Sequence, residues 1–213
     1  MRRGPGRQHS SIYRVCSEVR IQHRGRRVRR IVEHVFVTHA PLRIFGIDPG
    51  TASTGFGIVD RVGPLLTPVW YDCLTTSPRE APADRLVRIA RAVREICERM
   101  RPDAMAIEEL FFGANAKAAL AVGQARGVCM VVCAEAGIPV FEYTNSAIKM
   151  AVSGYGRADK SQVMEMVRVQ LKMTEIPKPD HAADALACAI THAGSMQVGA
   201  VLGRTRASTH TSR

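Results

Sequence analysis

The chain is predicted to be an α/β protein. A mixed five-stranded sheet, three antiparallel strands followed by two parallel ones, should carry helices on both faces. Three observations predict this. Three apolar runs follow one another across short turns between residues 42 and 74. At residue 83 the apolar period changes to that of a helix. Beyond it, short apolar runs alternate with helical stretches, a pattern that builds parallel strand pairs through helical crossovers.

Residues 42–48, LRIFGID, form the first strand, with Asp48 at its end and Pro49-Gly50 turning the chain. Residues 55–60 return antiparallel, and residues 66–74 add a third strand across another short turn. Leu86, Ile89, Ala90, Val93, Ile96, Cys97 and Met100 then recur at helical spacing and make one stripe. Arg85, Arg88 and Arg94 fall off that stripe, as a solvated basic face does. Pro102-Asp103 breaks the helix, and residues 104–107 are a short buried strand running into Glu108-Glu109. Residues 115–136 read as a long helix of small residues, suited to close approach to the sheet or to a second subunit, and Gly137 stops it. Residues 139–143 form the fifth strand. Helical stretches over 144–152 and 160–172 flank the loop Ser153-Gly154-Tyr155-Gly156-Arg157. The last helix covers 180–192, with Asp180 as its N-cap.

Length and charge bound the organisation. The 213 residues suffice for one domain with a real core, expected over 41–193. Residues 1–40 are expected to be a basic extension without regular structure, apart from a strand-like run over 31–37, and residues 194–213 a flexible basic tail. Ten Arg against two Glu in residues 1–40 hold +8 of the net charge of +11. Such an arm fits a polyanion through counterion release, and fits equally a start codon placed upstream of the true one. No apolar run approaches the ~18 residues that span a bilayer. The N-terminus has arginines but no apolar core of a secretory signal. Cys16, Cys73, Cys97, Cys129, Cys133 and Cys188 lack zinc-knuckle spacing and read as reduced thiols of a cytoplasmic protein.

Asp48 is the informative residue, because an unpaired charge at the inner end of a buried strand is costly. Glu108 closes the fourth strand. If the two strands are parallel neighbours, both acids meet at the sheet edge where α/β folds bind ligands. Glu109 competes with Glu108, since alternation lets only one of the two point inward. His181 and Asp184, at i and i+3, share a face of the last helix, and the neighbouring Ala182, Ala185, Leu186, Ala189 and Ile190 dock that face on the sheet. Singly each residue has an ordinary reading: turn chemistry for Asp48, a surface strand end for Glu108, an exposed helix start for His181. Together they are several anions at short range, which demand a cation, and an oxygen-rich set suits Mg²⁺ or Mn²⁺.

Four stretches, RIFGIDPGTASTGFGIVD, AIEELFFGANAKAALAVGQARGV, PVFEYTNSAIKMAVSGYGRADKSQV and HAADALACAITH, follow in order between residues 43 and about 193. They resemble RuvC, the family of bacterial Holliday-junction resolvases with the RNase H-like fold. The resemblance implies an endonuclease that resolves four-way junction DNA by two symmetric metal-dependent nicks in recombination and repair, leaving ligatable 5′-phosphate and 3′-hydroxyl ends. It carries the family's four catalytic, metal-ligating positions onto Asp48, Glu108, His181 and Asp184. The third of these is commonly Asp, so His181 departs from the acidic version and suits Mn²⁺ better than Mg²⁺. The family's basic positions fall on Lys149 and Lys160, expected to meet phosphates. Of Phe111 and Phe112, Phe111 is expected to stack on a base at the opened junction, against the ordinary reading of a core phenylalanine. A homodimer and the RuvA–RuvB branch-migration complex are the implied partners. The resemblance does not cover the first 40 residues.

Two metal ions about 4 Å apart would activate water and stabilise the phosphorane charge and the leaving oxyanion, with Asp48 bridging, Glu108 on one ion, and His181 and Asp184 on the other. Rival readings exist. Gly46-Ile47-Asp48-Pro49-Gly50-Thr51 also resembles the phosphate loop of actin-like-superfamily ATPases and kinases, which need a second domain and a second phosphate hairpin. A non-catalytic junction-binding protein fits the basic arm, but clustered acids would repel its phosphates. A third reading keeps the fold and cuts RNA in an RNA–DNA hybrid.

Overall fold

The computed structural model describes residues 11–23, 26–38, 40–110 and 116–208. It divides after Pro41 into two units. The first holds β1 (Ser11–His23) and β2 (Arg26–Thr38), an antiparallel pair in register from Ser11↔Thr38 to His23↔Arg26. The sequence reading left room for a strand only over 31–37. Val15, Val19, Ile21, Val28, Val32 and Val35 make both arms strong strand formers despite the arginines between them.

The second unit is built on a sheet of five strands in the order β5-β4-β3-β6-β7. β3 (Leu42–Asp48), β4 (Ser53–Val62) and β5 (Leu65–Thr75) form the antiparallel meander. β6 (Ala104–Glu108) joins β3 in parallel, and β7 (Val140–Tyr143) joins β6 in parallel. This is the predicted mixed sheet. Pro68 lies on the edge strand β5, where a missing N–H costs nothing to a neighbour, and the ladder shifts register beside it at Ile58/Val59.

Helices cover both faces. Phe45, Ile47, Ile58, Met105 and Ile107 pack on one side with Ile89 and Val93 of α1 (Pro82–Met100) and with Ala125, Cys129 and Cys133 of α2 (Ala116–Glu135). On the other side Ile44, Val59 and Ala106 meet α3 (Asn145–Ser153), α4 (Lys160–Gln170) and α5 (Asp180–Ser208) through Ile148, Val163 and Leu186. Alternation along β3 thus divides one strand between two cores. Its Ile44, Phe45 and Ile47 are each 0% exposed, and each such burial stabilises the fold by about 1.5–3 kcal/mol.

Local signals set the boundaries. Arg101 closes α1 in the left-handed region at φ 48°, and Pro102 follows. Thr144 caps α3, its hydroxyl oxygen accepting from the Ala147 N–H at 3.2 Å. Asp159 and Gln162 form a reciprocal capping box on α4. Two expectations at α5 change. Asp180 is the first helical residue rather than the cap, and the Pro179 carbonyl accepts from the Ala182 N–H at 2.9 Å. The helix also runs to Ser208 instead of ending near His192, with Gly194, Gly199 and Gly203 inside it, since an interior glycine costs a helix only about 1 kcal/mol relative to alanine. Among the described residues no helix is long and apolar enough to cross a membrane.

Candidate active site

The parallel pairing Ile47↔Ile107 brings the ends of β3 and β6 side by side. Asp48 and Glu108, each one residue further on, therefore occupy adjacent strand tips. Alternation also decides between the two glutamates. Ala106 belongs to the core on the α5 side, so Glu108, two residues on, shares that face and Glu109 does not. The Glu109 N–H instead continues the ladder to the Tyr143 carbonyl at 2.8 Å.

The third segment arrives on α5, which lies almost on the sheet backbone. A Cβ at Gly46 would overlap the Ala185 carbonyl, and one at Gly55 would overlap the His181 carbonyl. These two glycines let the first turns of α5 settle against β3 and β4, which sets His181 and Asp184 over Asp48. His181 Nδ1 lies 2.6 Å from Asp48 Oδ2. One ligand atom from each of Asp48, His181 and Asp184 falls within 4.8 Å of the others. Glu108 stands beside this trio rather than in it, and its Oε1 accepts from Asn145 Nδ2 at 2.8 Å.

The basic residues divide. Lys160 Nζ sits 3.2 Å from Asp184 and 3.3 Å from Asp180. Lys149, on α3, acts at longer range, its charge opposing proton uptake by Glu108. Phe111 lies outside the described residues. Asn145 and the two glycines did not emerge from the sequence as parts of a site. The glycines carried a signal in hindsight, since Gly46 and Gly55 fall on the sheet face that meets the small residues of α5. Asn145 carried none.

The electrostatics show a site with surplus negative charge. The hydrogen bond to Asp48 raises the His181 pKa above its usual value, against the effect of burial. Burial, then the charge of Asp48, raises that of Asp184, and Lys160 opposes the rise. Burial also raises that of Glu108, opposed by the Asn145 amide and reinforced by Asp48 and Asp184. Burial works against the Lys160 ammonium, yet Asp184 and Asp180 hold its pKa above the ordinary value. Protons and one lysine are poor neutralisers for such a cluster. Two carboxylates and an imidazole within a common 4.8 Å are a donor set that fits a divalent cation, so the residues suit the metal that the fold implies.

A mixed sheet with carboxylates at its central strand tips and a last helix supplying further ligands defines a metal-binding nuclease of the RNase H-like type. Residues 44–192 match the family model described as crossover junction endodeoxyribonuclease RuvC. The chain belongs to the RuvC family. A RuvC from Chloroflexus aggregans is 53% identical over 152 residues, covering 71% of this chain and 93% of the relative. One from Desulforamulus reducens is 51% identical over 151 residues, covering 70% and 92%. The solved structure of T. thermophilus RuvC in complex with Holliday junction substrate superposes with a TM-score of 0.71 at 40% identity, over 74% of this chain and 96% of that one. The yeast mitochondrial Holliday junction resolvase Ydc2, at 12% identity and a TM-score of 0.56 over 77% and 81%, shares the fold alone. The chain is therefore an endonuclease of this family, and the ATPase and pure-binder readings fall.

Proposed function

We propose that this chain resolves four-way DNA junctions with Asp48, Glu108, His181 and Asp184 as its catalytic, metal-holding residues. The convergence of Asp48, His181 and Asp184 within 4.8 Å carries the reading. Divalent ions held there, two per subunit, would activate water and offset charge developing on the phosphate; Mg²⁺ is the expected ion and Mn²⁺ is accepted through His181.

The chain's own residues do the rest. Asp48 lies between the two ligand segments, next to Glu108 across the parallel pairing and 2.6 Å from His181 Nδ1. Its hydrogen bond orients the imidazole and leaves Nε2 for ligation or for taking a proton from the attacking water. Glu108, half-buried and desolvated, presents a carboxylate from the other side. Lys160, pulled toward Asp184, moves its charge to the substrate's phosphate as DNA arrives, and Lys149 contacts a neighbouring phosphate. Phe111 stacks on a base at the junction centre. Water attacks the phosphorus and the 3′ oxygen leaves, giving 5′-phosphate and 3′-hydroxyl ends.

A four-way junction has two-fold symmetry, so two matched cuts call for a C₂ homodimer, with the small residues of α2 as part of its interface. The branch-migration complex RuvA–RuvB is the expected partner, and the cytoplasm the expected compartment. The ten arginines within residues 1–40 would add electrostatic attraction to DNA phosphates. Asp48→Asn tests the core of this reading. Cleavage of a labelled junction should fall by about 10³-fold, the scale for losing a group that stabilises transition-state charge, while junction binding persists. Loss of binding together with cleavage would refute it.

A further inference from the structure

We infer that Asn145 is a positioning residue for the Glu108 carboxylate, an inference that rests on Glu108 being a metal ligand. Asn145 is the first residue of α3, 37 positions from Glu108 in sequence, yet its Nδ2 donates to Glu108 Oε1 at 2.8 Å. Its amide is not spent on its own helix. The cap of α3 is already made by Thr144, whose side chain accepts from the Ala147 N–H.

The main chain at Glu108 is held separately. Its carbonyl accepts from Arg126 Nε at 3.2 Å, and the next N–H is held by the Tyr143 carbonyl at 2.8 Å. Main-chain anchoring leaves the side-chain torsions of a glutamate free. The Asn145 amide removes that freedom: one carboxylate oxygen is engaged, and Oε2 remains to ligate. An amide suits this task better than an ammonium would. It orients the carboxylate without adding a positive charge that competes with the ion, and without the proton uptake that an acidic neighbour would encourage. The β7–α3 junction thereby becomes part of the metal site, although none of its residues touches Asp48, His181 or Asp184 among the described contacts.

The test is a Mn²⁺ titration of the full-length protein without DNA, reading free Mn²⁺ by electron paramagnetic resonance, for wild type, Asn145→Ala, Glu108→Gln and the double variant. Losing a partner of a metal ligand costs about 10–100-fold in metal affinity, so Asn145→Ala should raise the Mn²⁺ Kd about 10-fold. In the Glu108→Gln background the same change should have no further effect, because the group it positions is gone. Thermal melts of all four proteins report folding separately. A Kd within two-fold of wild type for Asn145→Ala, while Glu108→Gln binds weakly, overturns the inference. An equal loss in both backgrounds also overturns it, since that is the mark of a general structural role. Unchanged Mn²⁺ binding by Glu108→Gln overturns the ligand assignment itself, and is recognisable as a failure at that earlier step.

Discussion

Gly55→Ala should separate folding from catalysis by moving one helix a short way. Gly55 is the register partner of Asp48 on β4 and lies directly under the first turn of α5. The added methyl meets the His181 carbonyl, with the Ala182 nitrogen only 3.0 Å away. Comfortable separation is about 3.5 Å, and the obstacle is helix backbone rather than a mobile side-chain tip, so the start of α5 must retreat by roughly 1.5 Å. Overpacking of this kind costs about 1–3 kcal/mol, and each kcal/mol lowers Tm by about 2–4 °C at this size. The chemistry suffers more. His181 Nδ1 and Asp48 Oδ2 stand 2.6 Å apart, and the same retreat takes them to about 4 Å, outside hydrogen-bond range. Misplacement by 1 Å costs on the order of 10²-fold in rate. Single-turnover cleavage of a labelled junction at saturating protein should therefore slow about 10²-fold, with binding by anisotropy nearly unchanged. Gly194→Ala, in the same helix with open space around it, is the control and should leave both unchanged. Full cleavage by a folded Gly55→Ala protein would refute the view that helix seating sets the site.

Three further outcomes are expected. His181→Asp should keep cleavage, within about 10-fold, and move metal preference toward Mg²⁺; inactivity with every divalent metal would remove His181 from the ligand set. The hydrogen bond that His181 Nδ1 donates to Asp48 raises the folded-state pKa of His181, so its stabilisation is full below the unfolded value near 6.5 and is lost as pH rises through the folded value. The Tm advantage of wild type over His181→Asn should accordingly shrink as pH rises above about 6.5, and a difference flat in pH would count against the contact. Sedimentation at micromolar concentration should show a dimer; monomer alone, with and without junction DNA, would dismiss the two-fold arrangement.

Much of this site was legible in the chain because strands and helices have fixed periods. Asp48 and Glu108 end apolar runs, and once those runs pair in parallel their tips must meet. His181 and Asp184 announce a shared helix face, and the apolar residues around them say that it docks. How closely it docks was not legible. That depends on Gly46 and Gly55 facing the helix at backbone contact, which comes from the β3–β4 register together with the seating of α5. The bond from Asn145 to Glu108 was hidden for a related reason: it joins the end of β6 to the start of α3, and no local pattern links residues 37 apart. The end of α5 was misread for a different reason. Gly194 looks like punctuation in sequence, but an interior glycine weakens a helix by only about 1 kcal/mol and does not by itself stop it.

The Asp48–His181–Asp184 trio has its first member in the first strand of its unit and its other two in the last helix. During synthesis the amino-terminal strands leave the ribosome long before that helix does. A growing polypeptide, or one truncated before residue 181, can complete most of its sheet and still lack the trio. The trio can therefore come together only after the chain has been made as far as Asp184.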